Sequence, residues 1–285
     1  MAVYQNAVDP FNDGSGVALY RLDSDALDSG GNYDGTWNGT EQYDSAVYGN
    51  GALLDGSSEI GLPVESCNSD ILTVSLWFKS TQTDVPIGIF SARGSASSTV
   101  KIVMALNRDN AGEIGLDSCN ASGFVKLGTY NGNYNDGNFH HFVAMLDFVD
   151  SEYSAYVDGT EVFSGSSTTL ENPTIDRVSI GTNYGSQYLV GTVDQVRIFN
   201  RMLTSDEVAQ LGNEYPPILY NSVTFPYRIS GTFSASSVTF PYRIVTKFSG
   251  VSASFPYRIK RFKKSSRLFP YSLSTQNIVT RIIRE

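Results

Sequence analysis

Cysteine and histidine are scarce in this 285-residue chain, which has only Cys67, Cys119, His140 and His141. With no CxxC pair and no His-rich neighbourhood, a structural zinc site has no ligand pattern on which to form. The two cysteines are expected as free thiols, the ordinary state in a cytoplasm, with a single Cys67–Cys119 disulfide as the other reading. The opening MAVYQNAVDPFNDGSG lacks the basic and apolar regions of an export signal. No run approaches the ~18 apolar residues of a membrane span. The expectation is a soluble protein made in a cytoplasm, with no membrane partner. Nucleophile elbows, P-loops and dinucleotide fingerprints are missing as well, which removes the common nucleophile and phosphate sites.

Acidic residues are almost absent from one end. Beyond Tyr215 the chain has 11 Lys+Arg against the single acid Glu285, a net of +10, whereas up to Tyr215 it has 9 Lys+Arg against 28 Asp+Glu, a net of −19. An overall charge of −9 therefore hides two segments of opposite sign, which implies different partners for each.

What is present is β structure. Leu72, Val74, Leu76 and Phe78 alternate with Thr73, Ser75, Trp77 and Lys79; Val100 to Leu106 and Tyr153 to Val157 repeat the period of two. Asp55-Gly56, Asn131-Gly132, Asp136-Gly137 and Asp158-Gly159 punctuate these runs with residues that tolerate the positive φ of tight hairpins. Hairpins so spaced predict an antiparallel sandwich rather than a parallel α/β sheet. One helix is predicted at Ser205–Leu211. Thr204 and Glu207 form a capping box, Leu203 and Val208 a staple, and Gly212 the stop. Pro216-Pro217 then mark a boundary, giving domains at 1–215 and 216–285.

The second segment repeats itself. Phe225-Pro226-Tyr227-Arg228-Ile229 recurs from Phe240 and Phe255, and in weakened form as Phe269-Pro270-Tyr271-Ser272-Leu273. A unit this short cannot bury its own aromatic face and must use neighbours or another protein. Proline in each copy favours edge or extended strands. Alternating Arg and aromatics also suit nucleic acid. Each Arg, however, stands beside Pro-Tyr and before Ile, which fits docking along a protein surface through Phe225, Tyr227, Arg228, Phe240, Tyr242, Arg243, Phe255, Tyr257, Arg258, Phe269 and Tyr271. Nucleic acid is the disfavoured partner.

The first 215 residues resemble the laminin G-like, concanavalin A-like lectin jelly-roll modules. The resemblance rests on the opening loop 28–36 (DSGGNYDGT), GALLDG at 51–56, TVSLWFK at 73–79, NFHHFV at 138–143, AYVDG at 155–159, SIG at 179–181 and the closing GTVDQVRIFNRML at 191–203. The chain departs from the family pattern at Phe139, usually Trp, and at Gln195, usually an acid. The resemblance implies an all-β jelly roll with an appended β-repeat arm, and a ligand that the fold alone does not specify. Many members hold calcium, for which Asp28, Asn32, Asp34 and Asp194 are the matching oxygen donors; the other reading makes them turn formers and one capping carboxylate.

For catalysis, the strand that would set two carboxylates about 5 to 9 Å apart is missing, and the acids at Asp23, Asp25 and Asp28 and at Asp206-Glu207 read as turn and helix-cap residues. No catalytic residues are expected. His140 and His141, adjacent in a strand, point to opposite faces and cannot share a proton relay. Tyr33, Trp37, Tyr130, Tyr134, Tyr184 and Tyr188 lie beside Gly or Asn and are the candidates for stacking on a sugar, with core packing as the other reading, Trp37 especially. A compact acidic display domain on a basic repeat arm suits a particle-attached protein. The expectation is a non-enzymatic phage virion protein, a capsid decoration or tail or fibre component assembled in the host cytoplasm. Its arm would dock to other virion proteins, as a homo-oligomer such as a trimer, and its sandwich would face outward toward a host glycan. The alternatives are a secreted or surface lectin-like module and, behind it, a glycan-active enzyme.

Overall fold

The computed structural model describes residues 7–84, 86–96, 98–166, 169–183 and 185–213, and the backbone of two strands at 242–247 and 279–284. The chain divides into two units, Met1–Leu219 and Tyr220–Glu285. In the first unit the strands are β1 (Gly16–Tyr20), β2 (Thr36–Asn38), β3 (Tyr43–Ser45), β4 (Asn50–Asp55), β5 (Glu59–Leu62), β6 (Ile71–Ser80), β7 (Ile87–Arg93), β8 (Val100–Leu106), β9 (Glu113–Asn120), β10 (Gly123–Asn131), β11 (His140–Asp147), β12 (Glu152–Val157), β13 (Thr160–Ser166), β14 (Arg177–Ile180) and β15 (Val190–Phe199). In the second, β16 (Tyr242–Lys247) pairs antiparallel with β17 (Val279–Arg284). The strand β16 carries Tyr242 and Arg243 of the second repeat; the other repeat residues proposed for docking lie outside the described residues, as does Tyr184.

Two antiparallel sheets make the sandwich. Sheet A runs β13-β12-β11-β6-β15-β4-β3 with β1 added on β15; sheet B runs β10-β9-β8-β7-β14-β5-β2. Non-consecutive neighbours such as β6 beside β15 and β7 beside β14 give the crossed connections of a jelly roll. The period of two fixes which side chains meet between the sheets. Leu72, Val74, Leu76 and Phe78 of β6 pair with Leu146, Ala144, Phe142 and His140 of β11, and the apolar members of this set are fully buried. They face Ile102, Met104 and Leu106 of β8 and Ile114 and Leu116 of β9 in one core. Each such aliphatic or aromatic side chain contributes roughly 1.5–3 kcal/mol on burial, so the −19 segment holds its own interior.

Turn chemistry sets the registers. Asp158 and Gly159 both have positive φ, +50° and +77°, and close the β12–β13 hairpin with Val157 opposite Thr160. This is the two-residue turn whose twist matches its strands.

The helix α1 spans Ser205–Gly212. Thr204 Oγ1 accepts from the Glu207 amide while the Glu207 carboxylate accepts from the Thr204 amide, so the predicted capping box is complete. Leu203, Val208 and Leu211 pack with Val143, Met145 and Phe199 on the outer face of sheet A. Gly212 does not stop the helix: it is the last helical residue, and Asn213 caps it with its amide on the Ala209 carbonyl. Both cysteines are free and buried.

Candidate functional site

A cavity of about 250 Å³ opens on the outer face of sheet B. Pro86, Ile87, Ala105 and Phe124 give it apolar walls; Arg93, Arg108, Asp117, Asn183 and Gln187 give it polar ones. Strand alternation selects these side chains. Val178 and Ala92 pair toward the core, so their neighbours Arg177 and Arg93, directly opposite each other, point outward. By the same parity Leu116 faces inward, and Asp117 outward.

The polar groups are mutually fixed. Arg108 donates through Nε to both oxygens of Asp117, at 3.0 and 2.8 Å, and through Nη1 to Asp109. Its guanidinium lies 5.3 Å from the centre of the Phe124 ring, which is 46% exposed. Burial pushes the Asp117 carboxyl up to about 6 against the opposing pull of Arg108. Arg93 Nη1 donates to Asn183 Oδ1 at 2.6 Å, and Arg177 pairs with buried Glu59. Behind the wall, fully buried Asn107 donates from Nδ2 to the carbonyls of Gln82 and Asp84 and accepts from the Gly112 amide, holding the turns that carry Pro86 and Arg108. A half-exposed ring beside pre-oriented polar donors and acceptors can stack on the apolar face of a pyranose and bond its hydroxyls.

The sequence-selected aromatics do not form one platform among the described residues. Trp37 pairs with core-facing Ile60, so it turns inward, with its Nε1 donating to Tyr43. Tyr33 packs on the same core and Tyr134 is 9% exposed. Tyr130, 6.4 Å from Tyr134, is exposed, and Tyr188 is half-buried. Arg93, Arg108, Asp117, Phe124 and Asn183 were not selected from the sequence. Their available signal was the rarity of cations in the acidic segment.

Nor does the structure gather the four calcium candidates. Asp28 accepts backbone N–H bonds from Leu19, Gly30, Asn32 and Tyr33, and Asp34 accepts from the Asp28 amide, so these residues close a turn around themselves. Asp194 stands apart on the outer face of sheet A, accepting from the Tyr48 amide through Oδ2. Its Oδ1 is buried without a hydrogen-bond partner, and burial, with Asp23 nearby, raises its carboxyl to about 8. Of the four, Asp194 has a buried carboxylate oxygen left without a partner. Among the described residues no three His, Cys, Asp or Glu side chains cluster as metal ligands. An ion at Asp194 would need backbone carbonyls and water to complete its shell.

The histidines diverge as alternation requires. His140 places Nδ1 2.8 Å from Asp158 and Nε2 3.2 Å from Asp136, and these carboxylates raise its pKa. His141, buried on the other face, stacks on Trp77 at 4.9 Å and bonds Ser75 Oγ; burial drops its pKa to about 4.

No curated protein sequence matches the chain. Among solved structures it is similar to domain 4 of AbnA, an extracellular arabinanase of Geobacillus stearothermophilus in complex with arabinotriose, at 25% identity over 69% of this chain and 98% of that one, TM-score 0.56. It shares its fold with the receptor-binding domain of a botulinum neurotoxin mosaic serotype C/D, at 16% identity over 70% of this chain and 50% of that one, TM-score 0.55. The same holds for Trypanosoma rangeli sialidase, at 16% identity over 68% of this chain and 32% of that one, TM-score 0.52. The family model of the concanavalin A-like lectin/glucanases superfamily, Laminin_G_3, matches residues 54–209. That span is more than half the chain and runs from β4 through most of α1, so the chain belongs to this superfamily.

Proposed function

We propose that this chain is a non-catalytic virion structural protein whose sandwich holds a host saccharide in the sheet B groove while its basic repeat arm docks to other particle proteins. The groove carries the binding half of this reading: Phe124 supplies an exposed ring, and Arg93, Arg108, Asp117 and Asn183 supply hydrogen-bonding groups fixed by their own partners. The bound arabinotriose of the AbnA domain supports a saccharide ligand for this fold. Catalysis has no counterpart in that chemistry. Asp117, the acid in the groove, is tied by both oxygens to Arg108, an arrangement for orientation rather than proton transfer to a leaving group.

The arm half of the reading rests on the +10 charge after Tyr215 and on four repeats each too short to bury its aromatic face by itself. Repeats with one aromatic-Arg cassette per unit suit successive equivalent sites on a lattice or a symmetric homo-oligomer, a decoration or fibre protein in either case. Calcium, where bound, is held by Asp194 with Asp23 and supplies a cross-link between β15 and the loop after β1. The arabinanase domain favours a second reading, a secreted or surface lectin-like module.

Two measurements test this. Deleting 216–285 should leave a folded sandwich that no longer enters particles. Normal incorporation refutes the anchoring role. On a glycan array the full chain should bind saccharide and Phe124→Ala should lose at least ~10-fold, the equivalent of one base-type stacking contact of about 1.4 kcal/mol; an unchanged profile removes the groove from the reading.

A further inference from the structure

We propose that the sheet B groove selects saccharides bearing an oxyanion, carboxylate or phosphate, over neutral ones; this rests on the saccharide-binding reading of the same groove. Up to Tyr215 the chain has 9 basic residues against 28 acidic ones. Five of those nine, Arg93, Lys101, Arg108, Lys126 and Arg177, stand on sheet B or the turn after β8; Lys101 is buried, and Arg93 and Arg108 line the cavity itself.

The layering matters more than the count. Arg108 is 17% exposed above Asp117 at 4%, and Arg177 is 36% exposed above Glu59 at 5%. Glu113, also on this face, is buried against Asn110. In both of these ion pairs the carboxylate lies beneath and the guanidinium above; the exposed acid on this face, Asp109, sits between Arg108 and Lys126 and pairs with both. Arg93 and Arg177 lie directly opposite on neighbouring strands, with Asn183 and Glu59 among their respective partners. Asp117 occupies the Nε side of Arg108, and Nη2 has no hydrogen-bond partner among the described residues. A planar guanidinium with a donor left over, backed by an aromatic ring, is suited to grip an oxyanion on a ring that stacks beside it. The rest of the −19 segment repels polyanions, so within the sandwich this face is the favoured one; the +10 segment beyond Tyr215 also attracts polyanions, and the Arg108 and Asp117 variants tell the two apart.

The test uses the full chain and four probes: polygalacturonate for carboxylate, wall teichoic acid for phosphate, arabinan as the neutral polymer, and inorganic phosphate alone. At low salt an oxyanion-bearing polymer should bind at least ~10-fold tighter than arabinan, and raising salt from about 50 to about 500 mM should erase most of that margin. The two charged polymers distinguish the source of the oxyanion. Arg108→Gln should cost ~10-fold or more on the charged polymer. Because that variant leaves buried Asp117 without its partner, Asp117→Asn is the control: it keeps the fold, removes the underlying negative charge and should tighten binding, a gain that misfolding cannot mimic. Equal, salt-insensitive binding of arabinan overturns the charge selection and leaves the saccharide groove standing. Binding of no polymer overturns both. Charged-polymer binding that neither variant changes, or that inorganic phosphate alone reproduces, overturns the proposal by placing the anion elsewhere or making the saccharide irrelevant.

Discussion

Asp194 makes the stability of the sandwich fall as pH rises, and the size of the effect follows from its environment. Its carboxyl moves from 3.8 to about 8 on folding, chiefly by burial. A raised folded-state pKa means that the native state holds the proton more tightly than the unfolded chain; the stabilisation is complete below pH 3.8 and is lost as pH rises through 8. At 1.36 kcal/mol per unit, the loss between pH 6 and 8 is about 2 kcal/mol. Asp117, raised to about 6, has lost most of its share by pH 6 and adds about 0.4 kcal/mol in the same window. With a urea slope of about 2 kcal/mol/M, the midpoint should drop by about 1 M. The assay is urea unfolding followed by tryptophan fluorescence at pH 6, 7 and 8 in chelator. Asp194→Asn keeps an acceptor for the Tyr48 amide and removes the charge, so its midpoint should stay nearly level across the window. Calcium should restore the wild-type midpoint at pH 8 and leave that of the variant unchanged. A wild-type midpoint that is level from pH 6 to 8 in chelator, or a variant that keeps the slope, refutes the reasoning.

His141 has the opposite sign: its pKa falls from 6.5 to about 4 on folding, so its contribution is present above 6.5 and is lost as pH falls through 4. The wild type should lose about 3 kcal/mol relative to His141→Gln between those values, and parallel pH curves for the two proteins would contradict this. Trp37→Ala should cost about 3 kcal/mol in unfolding free energy and leave saccharide affinity unchanged, because the ring packs against the core beside Ile60; lost affinity at unchanged stability would return Trp37 to the ligand face. Thr204→Ala should lower stability by about 1 kcal/mol through loss of the capping box, read as a shift in thermal midpoint.

The sandwich was legible because its signals are local. Alternation in Leu72 to Phe78 and Val100 to Leu106 marks strands, and Asp158-Gly159 marks a hairpin, whatever lies around them. The helix start was legible for the same reason, since Thr204 and Glu207 are three residues apart. Its end was not, because Gly212 stays helical and Asn213 takes the cap. The groove was illegible: Arg93, Asp117, Phe124 and Asn183 come from β7, β9, β10 and the loop after β14, and nothing in their spacing says that they meet. A loop position beside asparagine suggested Trp37 and Tyr134 for stacking, but their orientation depends on which strand or core residue they face.

The sequence by itself determined that residues up to about 215 form strands with an interior, that the charge reverses beyond Tyr215, and that the arm repeats. All three are properties of neighbouring residues or of composition. Only the tertiary structure decided which cations share a face, which carboxylates lie beneath them, and that Asp194 is buried with one oxygen lacking a partner. Pairing register sets these, and a shift of a single residue would exchange the inner and outer faces of the strand that slips.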